Sequence, residues 1–386
     1  MGRDHESITN GRQRIGGIAL LAFGAVEASH VQSNVLVPAP ACGHCQRPTA
    51  RPPVVRPTWG VTNGRPCVTC ATIVTRRHAV RRKGKYAMAS AAAEAQKAAI
   101  RQMRESTLEG TPTLEEQRAG AELFGAMSTE RAGVTYEPVT VDGIAGQWVL
   151  PQDPASDRVI LYLHGGGYVI CSVNSHRRMI GHLAAEAGCK ALAIDYRLAP
   201  EHPHPAAVDD AVKAYRWLLK QGYAPERVTI AGDSAGGGLT MATLVALRDA
   251  GDPMPAGALP ISPWVDLEAL GESMTTNAHV DLMVAAAGLK AMSEAYLQGQ
   301  DARHPTAAPL YADLRGLPPL YIQVGGDETL LDDSTRLAAK AAASGVAVRL
   351  DVFPEMQHVF QIAAGNVPEA DDALARAGAW LRERSS

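Results

Sequence analysis

The chain has 386 residues, 46% of them hydrophobic, 20% charged and 5% aromatic, with a formal net charge of −3. Its length supports a large buried core, and a mean hydropathy of −0.08 excludes a polytopic membrane protein and a wholly disordered chain. The net charge averages two unlike pieces: residues 1–87 hold 13 of the 37 Lys and Arg and 3 of the 40 Asp and Glu, a balance of +10, against −13 for residues 88–386.

The basic piece carries an apolar run from Ile15 to Val26 behind Arg12 and Arg14, with small residues near Ala28. This is the outline of a secretory signal within residues 1–28, and it is too short to span a bilayer. Cys42, Cys45, Cys67 and Cys70 form two CxxC pairs, a spacing that can hold zinc or form a disulfide pair. Six prolines between residues 38 and 57 and the lack of any strand leading into either pair argue against such a site. The basic charge lacks the interleaved aromatics of a nucleic-acid surface, so no nucleic acid is expected as a partner. The segment from Arg81 to Met88 must be encoded by purine-rich codons, as ribosome-binding sites are, and every coherent element falls after it. Residues 1–87 are therefore expected to be a Cys/Pro-rich leader, disordered or not natively translated. The remainder is expected in the cytoplasm unless residues 1–28 act as a signal.

From Met88 onward, residues 89–105 and 114–128 read as alanine-rich helices, the second opened by Thr113 and Glu116 at capping-box spacing. Residues 134–141 and 144–150 alternate as a hairpin about Asp142-Gly143. Strands at 159–163, 191–194, 227–231, 258–262, 319–324 and 348–353 then alternate with helices at 175–188, 206–221, 235–247, 280–296, 332–344 and 369–384. Short apolar strands alternating with helices predict an α/β domain, a mainly parallel sheet covered on both faces.

Strand 227–231 runs into its helix through Gly232-Asp233-Ser234-Ala235-Gly236-Gly237, a G-x-S-x-G elbow between strand and helix that presents Ser234 at the carboxyl edge of the sheet. A serine hydroxyl is a weak nucleophile without a histidine base and a carboxylate to orient it. His279 and His304 lie in irregular stretches, whereas His358 follows strand 348–353 directly. Asp327 follows strand 319–324, so Ser234, Asp327 and His358 are expected to form the triad, with Asp332 and Asp333 as alternatives further into the next helix. Strand 159–163 ends in His164-Gly165-Gly166-Gly167-Tyr168, where backbone amides can face a developing oxyanion. Gly165, Gly166 and Ala235 are the expected donors, and His164 is expected to shape the loop.

HGGGY at 164–168, DYRLAPEHPHPAA at 195–207, GDSAGG at 232–237 and the Asp/His tail together resemble the hormone-sensitive-lipase-like family, the bacterial type IV esterases of the α/β-hydrolase superfamily. The resemblance covers Met88 to the C-terminus. It implies an α/β-hydrolase fold over 88–386, with a helical cap from 88–130 and a contribution from 265–305. It also implies a serine carboxylesterase acting on short- to medium-chain acyl esters, with no cofactor, no resident metal and no stable membrane insertion. A homodimer is the family default, and Glu201 corresponds to a structural glutamate. The rival chemistries are amide, lactone and carbamate hydrolysis through the same triad. The plant gibberellin receptor, a silent relative, lacks the catalytic histidine, so the presence of His358 argues against a receptor. The acid loop reads DETLLDD where many members have proline after the acid.

Overall fold

Residues Val159 to Leu163 are uninterruptedly apolar and fully buried, the signature of a strand covered on both faces. In the computed structural model, which describes residues 89–105 and 112–384, they form the end of β3 (Ala155–Leu163) near the middle of an eight-stranded sheet. The expected leader, with its apolar run and four cysteines, lies outside the described residues. Strands β1 (Val134–Val141) and β2 (Ile144–Pro151) form the predicted hairpin. Its turn residues Asp142 and Gly143 both have positive φ, 46° and 90°, as a two-residue hairpin requires. The sheet continues through β4 (Cys189–Ile194), β5 (Val228–Asp233), β6 (Gly257–Ile261), β7 (Leu320–Gly325) and β8 (Val348–Phe353). The spatial order is β1-β2-β4-β3-β5-β6-β7-β8; β2 joins β4 antiparallel, and all pairings from β4 onward are parallel.

Alternate residues of β3 serve opposite faces. Ile160 and Tyr162 pack with α3 (Val173–Ala187) and α9 (Pro368–Arg384), while Val159, Leu161 and Leu163 pack with α4 (Ala206–Lys220), α5 (Ala235–Ala250) and α8 (Leu331–Ala343). The sheet thus has helices on both sides, and its parallel strands all deliver their carboxyl ends to one edge.

Over that edge lies a cap. Helix α1 (Ala91–Glu105) buries Ala93, Lys97 and Ile100. Helix α2 (Leu114–Ala121) starts with the Thr113–Glu116 capping box and passes into a 3-10 turn at Glu122–Met127, where the sequence had suggested one continuous helix. The insert supplies the short α6 (Ser273–Thr276) and α7 (Ala286–Leu297). Helix α7 starts later than the periodicity suggests, because the buried Asp281 carboxylate accepts the Met283 and Val284 N–H groups and holds 280–285 outside helical geometry. Arg118 of α2 ties the cap down: it pairs with Glu201 and donates to the carbonyls of Val169 and Ala199. Among the described residues no helix is long and apolar enough to cross a membrane.

Candidate active site

Ser234 sits between β5 and α5 with φ 53° and ψ −121°, a conformation that costs a non-glycine residue about 1–3 kcal/mol. Its neighbours over-determine that geometry. Ser234 N–H donates to the Ile261 carbonyl at 2.9 Å, and its own carbonyl accepts Trp264 N–H at 2.9 Å. A Cβ at Gly236 would run into the Leu163 and His164 carbonyls, so only glycine lets the helix approach the sheet at the elbow.

His358 Nε2 lies 2.9 Å from Ser234 Oγ, and His358 Nδ1 lies 2.8 Å from Glu328 Oε2. The carboxylate behind the histidine is therefore Glu328, not the expected Asp327. The reason is local. Gly326 N–H donates to the Phe353 carbonyl and Asp327 N–H to the Met356 carbonyl, which pins the turn after β7 so that the next side chain points inward. Asp327 instead faces the cap, with Lys97 Nζ 3.5 Å from its Oδ2. Asp332 accepts Ser273 N–H, and Asp333 accepts the N–H groups of Val265 and Asp266, so neither alternative reaches His358. The DE pair was visible in the sequence, but chain order cannot say which of two adjacent carboxylates turns inward.

Glu328 is fully buried, and its Oε1 accepts from Ser262 Oγ at 2.6 Å and from Gly325 N–H. Burial raises its carboxyl above the ordinary range even though His358, Ser262 and Gly325 all favour the charged form. Burial acts to lower the His358 imidazole, and the Glu328 carboxylate outweighs it, so the imidazole titrates above its usual value.

The glycine loop divides its labour differently from the expectation. Gly165 N–H donates to Asp233 Oδ1 at 3.2 Å and is thereby occupied. Among the described residues no acceptor meets the N–H groups of Gly166, Gly167 or Ala235. Gly166 and Gly167 border the same cavity as Ser234 and His358, and Gly165 does not. His164 is buried, donates from Nδ1 to the Gly165 carbonyl at 2.7 Å and stacks on Tyr196 at 4.3 Å. Burial pushes its imidazole down to about 4, so it is neutral and holds the loop. The cavity is walled mainly by apolar side chains such as Phe124, Ile170, Trp264, Val284, Leu289 and Met292. Among the described residues no group of three His, Cys, Asp or Glu is placed to hold a metal ion.

Comparison with known proteins agrees with this architecture. A family model described as the alpha/beta hydrolase fold matches residues 160–362. An acetyl-hydrolase of Streptomyces hygroscopicus is 48% identical over 263 residues, which cover 68% of this chain and 86% of that protein. The esterase LipU of Mycobacterium tuberculosis is 37% identical over 272 residues, 69% of this chain and 91% of that protein. Among solved structures, an esterase from the bacterial hormone-sensitive lipase family has a TM-score of 0.75 at 45% identity, covering 78% of this chain and all of the other. A serine at a strained elbow, a histidine within hydrogen-bond reach and a glycine loop beside them thus occur on a scaffold shared with these enzymes, and the chain belongs to the bacterial hormone-sensitive-lipase-like esterase family of the α/β-hydrolase superfamily.

Proposed function

We propose that this carboxylic ester hydrolase cleaves small, uncharged esters of short- to medium-chain acids through an acyl-enzyme on Ser234. The observation that carries the reading is the continuous relay from Ser234 Oγ to His358 Nε2 at 2.9 Å and from His358 Nδ1 to Glu328 at 2.8 Å. Ser234 attacks the ester carbonyl while His358 accepts its proton and passes it to the leaving alcohol. Water then repeats the sequence on the acyl-enzyme. Glu328 holds the imidazole tautomer and stabilises the imidazolium that forms. The oxyanion of each tetrahedral intermediate meets the N–H groups of Gly166, Gly167 and Ala235, each worth roughly 3–4 kcal/mol in the transition state. The preference for neutral, apolar acyl groups follows from the cavity walls, where the ionisable side chains are the relay's His358, the mutually paired His176 and Asp233, and Cys171, whose thiol burial keeps protonated.

No step calls for a cofactor. The free, buried Cys171 and Cys189 need no oxidising compartment, and we place the chain in the cytoplasm, as a homodimer by family default. A panel of p-nitrophenyl esters of increasing chain length, with matched anilides and lactones, tests the reading together with labelling by a serine-directed phosphonate. Ester turnover that vanishes in Ser234→Ala supports it. Labelling at another serine, or anilides or lactones cleaved faster than the esters, overturns it.

A further inference from the structure

His176 and Asp233 form a second buried relay that the ester chemistry does not consume. His176 lies in the first turns of α3 with 4% exposure, and Asp233, the residue before the nucleophile, has 2%. The hydrogen bonds around them leave few choices for the protons. Ser175 Oγ donates its single proton to the Ser172 carbonyl at 2.7 Å and accepts Ser172 N–H at 3.0 Å. His176 Nδ1, 2.9 Å from that same Oγ, must therefore be the donor. His176 Nε2 lies 3.2 Å from Asp233 Oδ2, a contact that an ionised carboxylate makes only with an N–H. Asp233 Oδ1 in turn accepts Tyr162 Oη–H at 2.9 Å and Gly165 N–H at 3.2 Å.

We infer that His176, protonated on both ring nitrogens, is a positioning residue for the oxyanion-binding amides: it fixes the Asp233 carboxylate, which anchors the Gly165 peptide and so aims the N–H groups of Gly166 and Gly167 into the cavity. The inference rests on the proposed esterase reading of the site. Two further observations support it. A Cβ at Gly165 would collide with the Asp233 carboxylate, so the first glycine of the loop is demanded by this anchor and not by a ligand. A cation near a helix N-terminus is opposed by the helix dipole, so its presence there requires a local anion. Asp233 is that anion. Of the other groups facing His176, Glu122 also favours the charged ring, whereas burial opposes it and the neighbouring His164 is neutral; Tyr162, Tyr196 and Cys171 are held protonated by burial. Burial works against ionisation of both partners, and their mutual attraction outweighs it, raising the imidazole and lowering the carboxyl from their ordinary values.

The test uses the full chain labelled with ¹⁵N-histidine, with His176→Gln to assign the signal. Both ring nitrogens of His176 are expected at protonated shifts at pH 8, where an ordinary histidine is neutral. A single protonated nitrogen there overturns the inference. This readout needs no turnover, so it fails separately from the esterase reading. In kinetics on a short-chain p-nitrophenyl ester, His176→Leu should lower kcat about 10- to 100-fold with KM within about twofold, below the full loss of a hole donor. Its affinity for an alkyl boronic acid, which forms a tetrahedral adduct on Ser234, should fall by a similar factor. His176→Gln, which retains a donor toward Asp233, should recover most of both. Equal kcat and boronate affinity in folded His176→Leu and wild type overturn the positioning role. If His176→Leu does not fold, the glutamine variant and the wild-type spectrum decide: a glutamine variant as weakened in KM as in kcat counts against the inference.

Discussion

Asp327 and Glu328 are adjacent in the chain, yet their carboxylates serve different elements: Asp327 faces Lys97 of the cap, and Glu328 lies 2.8 Å from His358 Nδ1. Replacing each by its amide separates the two roles. Glu328→Gln should lower kcat by roughly 10²- to 10⁴-fold, since a triad amide disturbs both the histidine tautomer and the stabilisation of its charged form. Asp327→Asn should change kcat by no more than about twofold, the scale of a partly exposed substitution away from the reacting atoms. Steady-state kinetics on one ester decides, and the reverse ranking would restore Asp327 as the orienting acid.

The acid limb of the pH–rate profile follows from His358. The imidazole must be neutral to accept the Ser234 proton, so kcat/KM rises with pH through the free-enzyme pKa. Glu328 holds that value above the ordinary 6.5, and the limb should have its midpoint above 6.5. In Glu328→Gln the midpoint should move to lower pH, since the raising charge is gone. The linked stability runs the other way: the contribution of the His358 pair is full below the unfolded imidazole value and is lost as pH rises through the folded one. Melting temperature against pH and kcat/KM against pH should therefore change in opposite directions across one interval.

Asp281 joins the cavity wall to the catalytic loops. Its Oδ2 accepts Thr329 N–H at 2.7 Å and Thr329 Oγ1 at 2.9 Å, next to Glu328, while its Oδ1 accepts Met283 and Val284 N–H. Gln357, next to His358, grips the same segment through Leu282 N–H and the Val280 carbonyl. Asp281→Ala leaves buried donors unpaired and should cost on the order of 3 kcal/mol, read as a lower denaturation midpoint in urea at unchanged slope. An unchanged midpoint would mean that water or a rearranged loop satisfies those donors.

Met292 of α7 lies over Gly167, so close that a Cβ on that glycine would overlap its sulfur. Met292→Ala should enlarge the cavity beside the reacting carbonyl. The ratio of kcat/KM for hexanoate over butyrate esters is expected to rise about tenfold, the scale of one or two methylenes in an apolar pocket. An unchanged ratio would place the acyl chain against another wall.

Much of this was readable from residue order. Strand VILYL, the Asp142-Gly143 turn and the Thr113–Glu116 cap act within a few residues of chain, so their elements fall within a few positions of the expectation. The elbow at Ser234 was legible for the same reason: its strain and its glycines are consecutive. The start of α7 was not, because Asp281 takes local N–H groups while being held by Thr329, 48 residues away.

Residue order alone determined the mainly parallel sheet, the serine at the elbow, the histidine after β8 and the presence of a glycine loop at one sheet edge, because each is a short-range pattern of period, turn and spacing. Tertiary structure decided which carboxylate meets His358 and which amides remain free. Both depend on side-chain direction at a resolution of one residue, which is set by hydrogen bonds to distant segments: Phe353 and Met356 turn Glu328 inward, and Asp233 takes the Gly165 N–H that the sequence had assigned to the oxyanion.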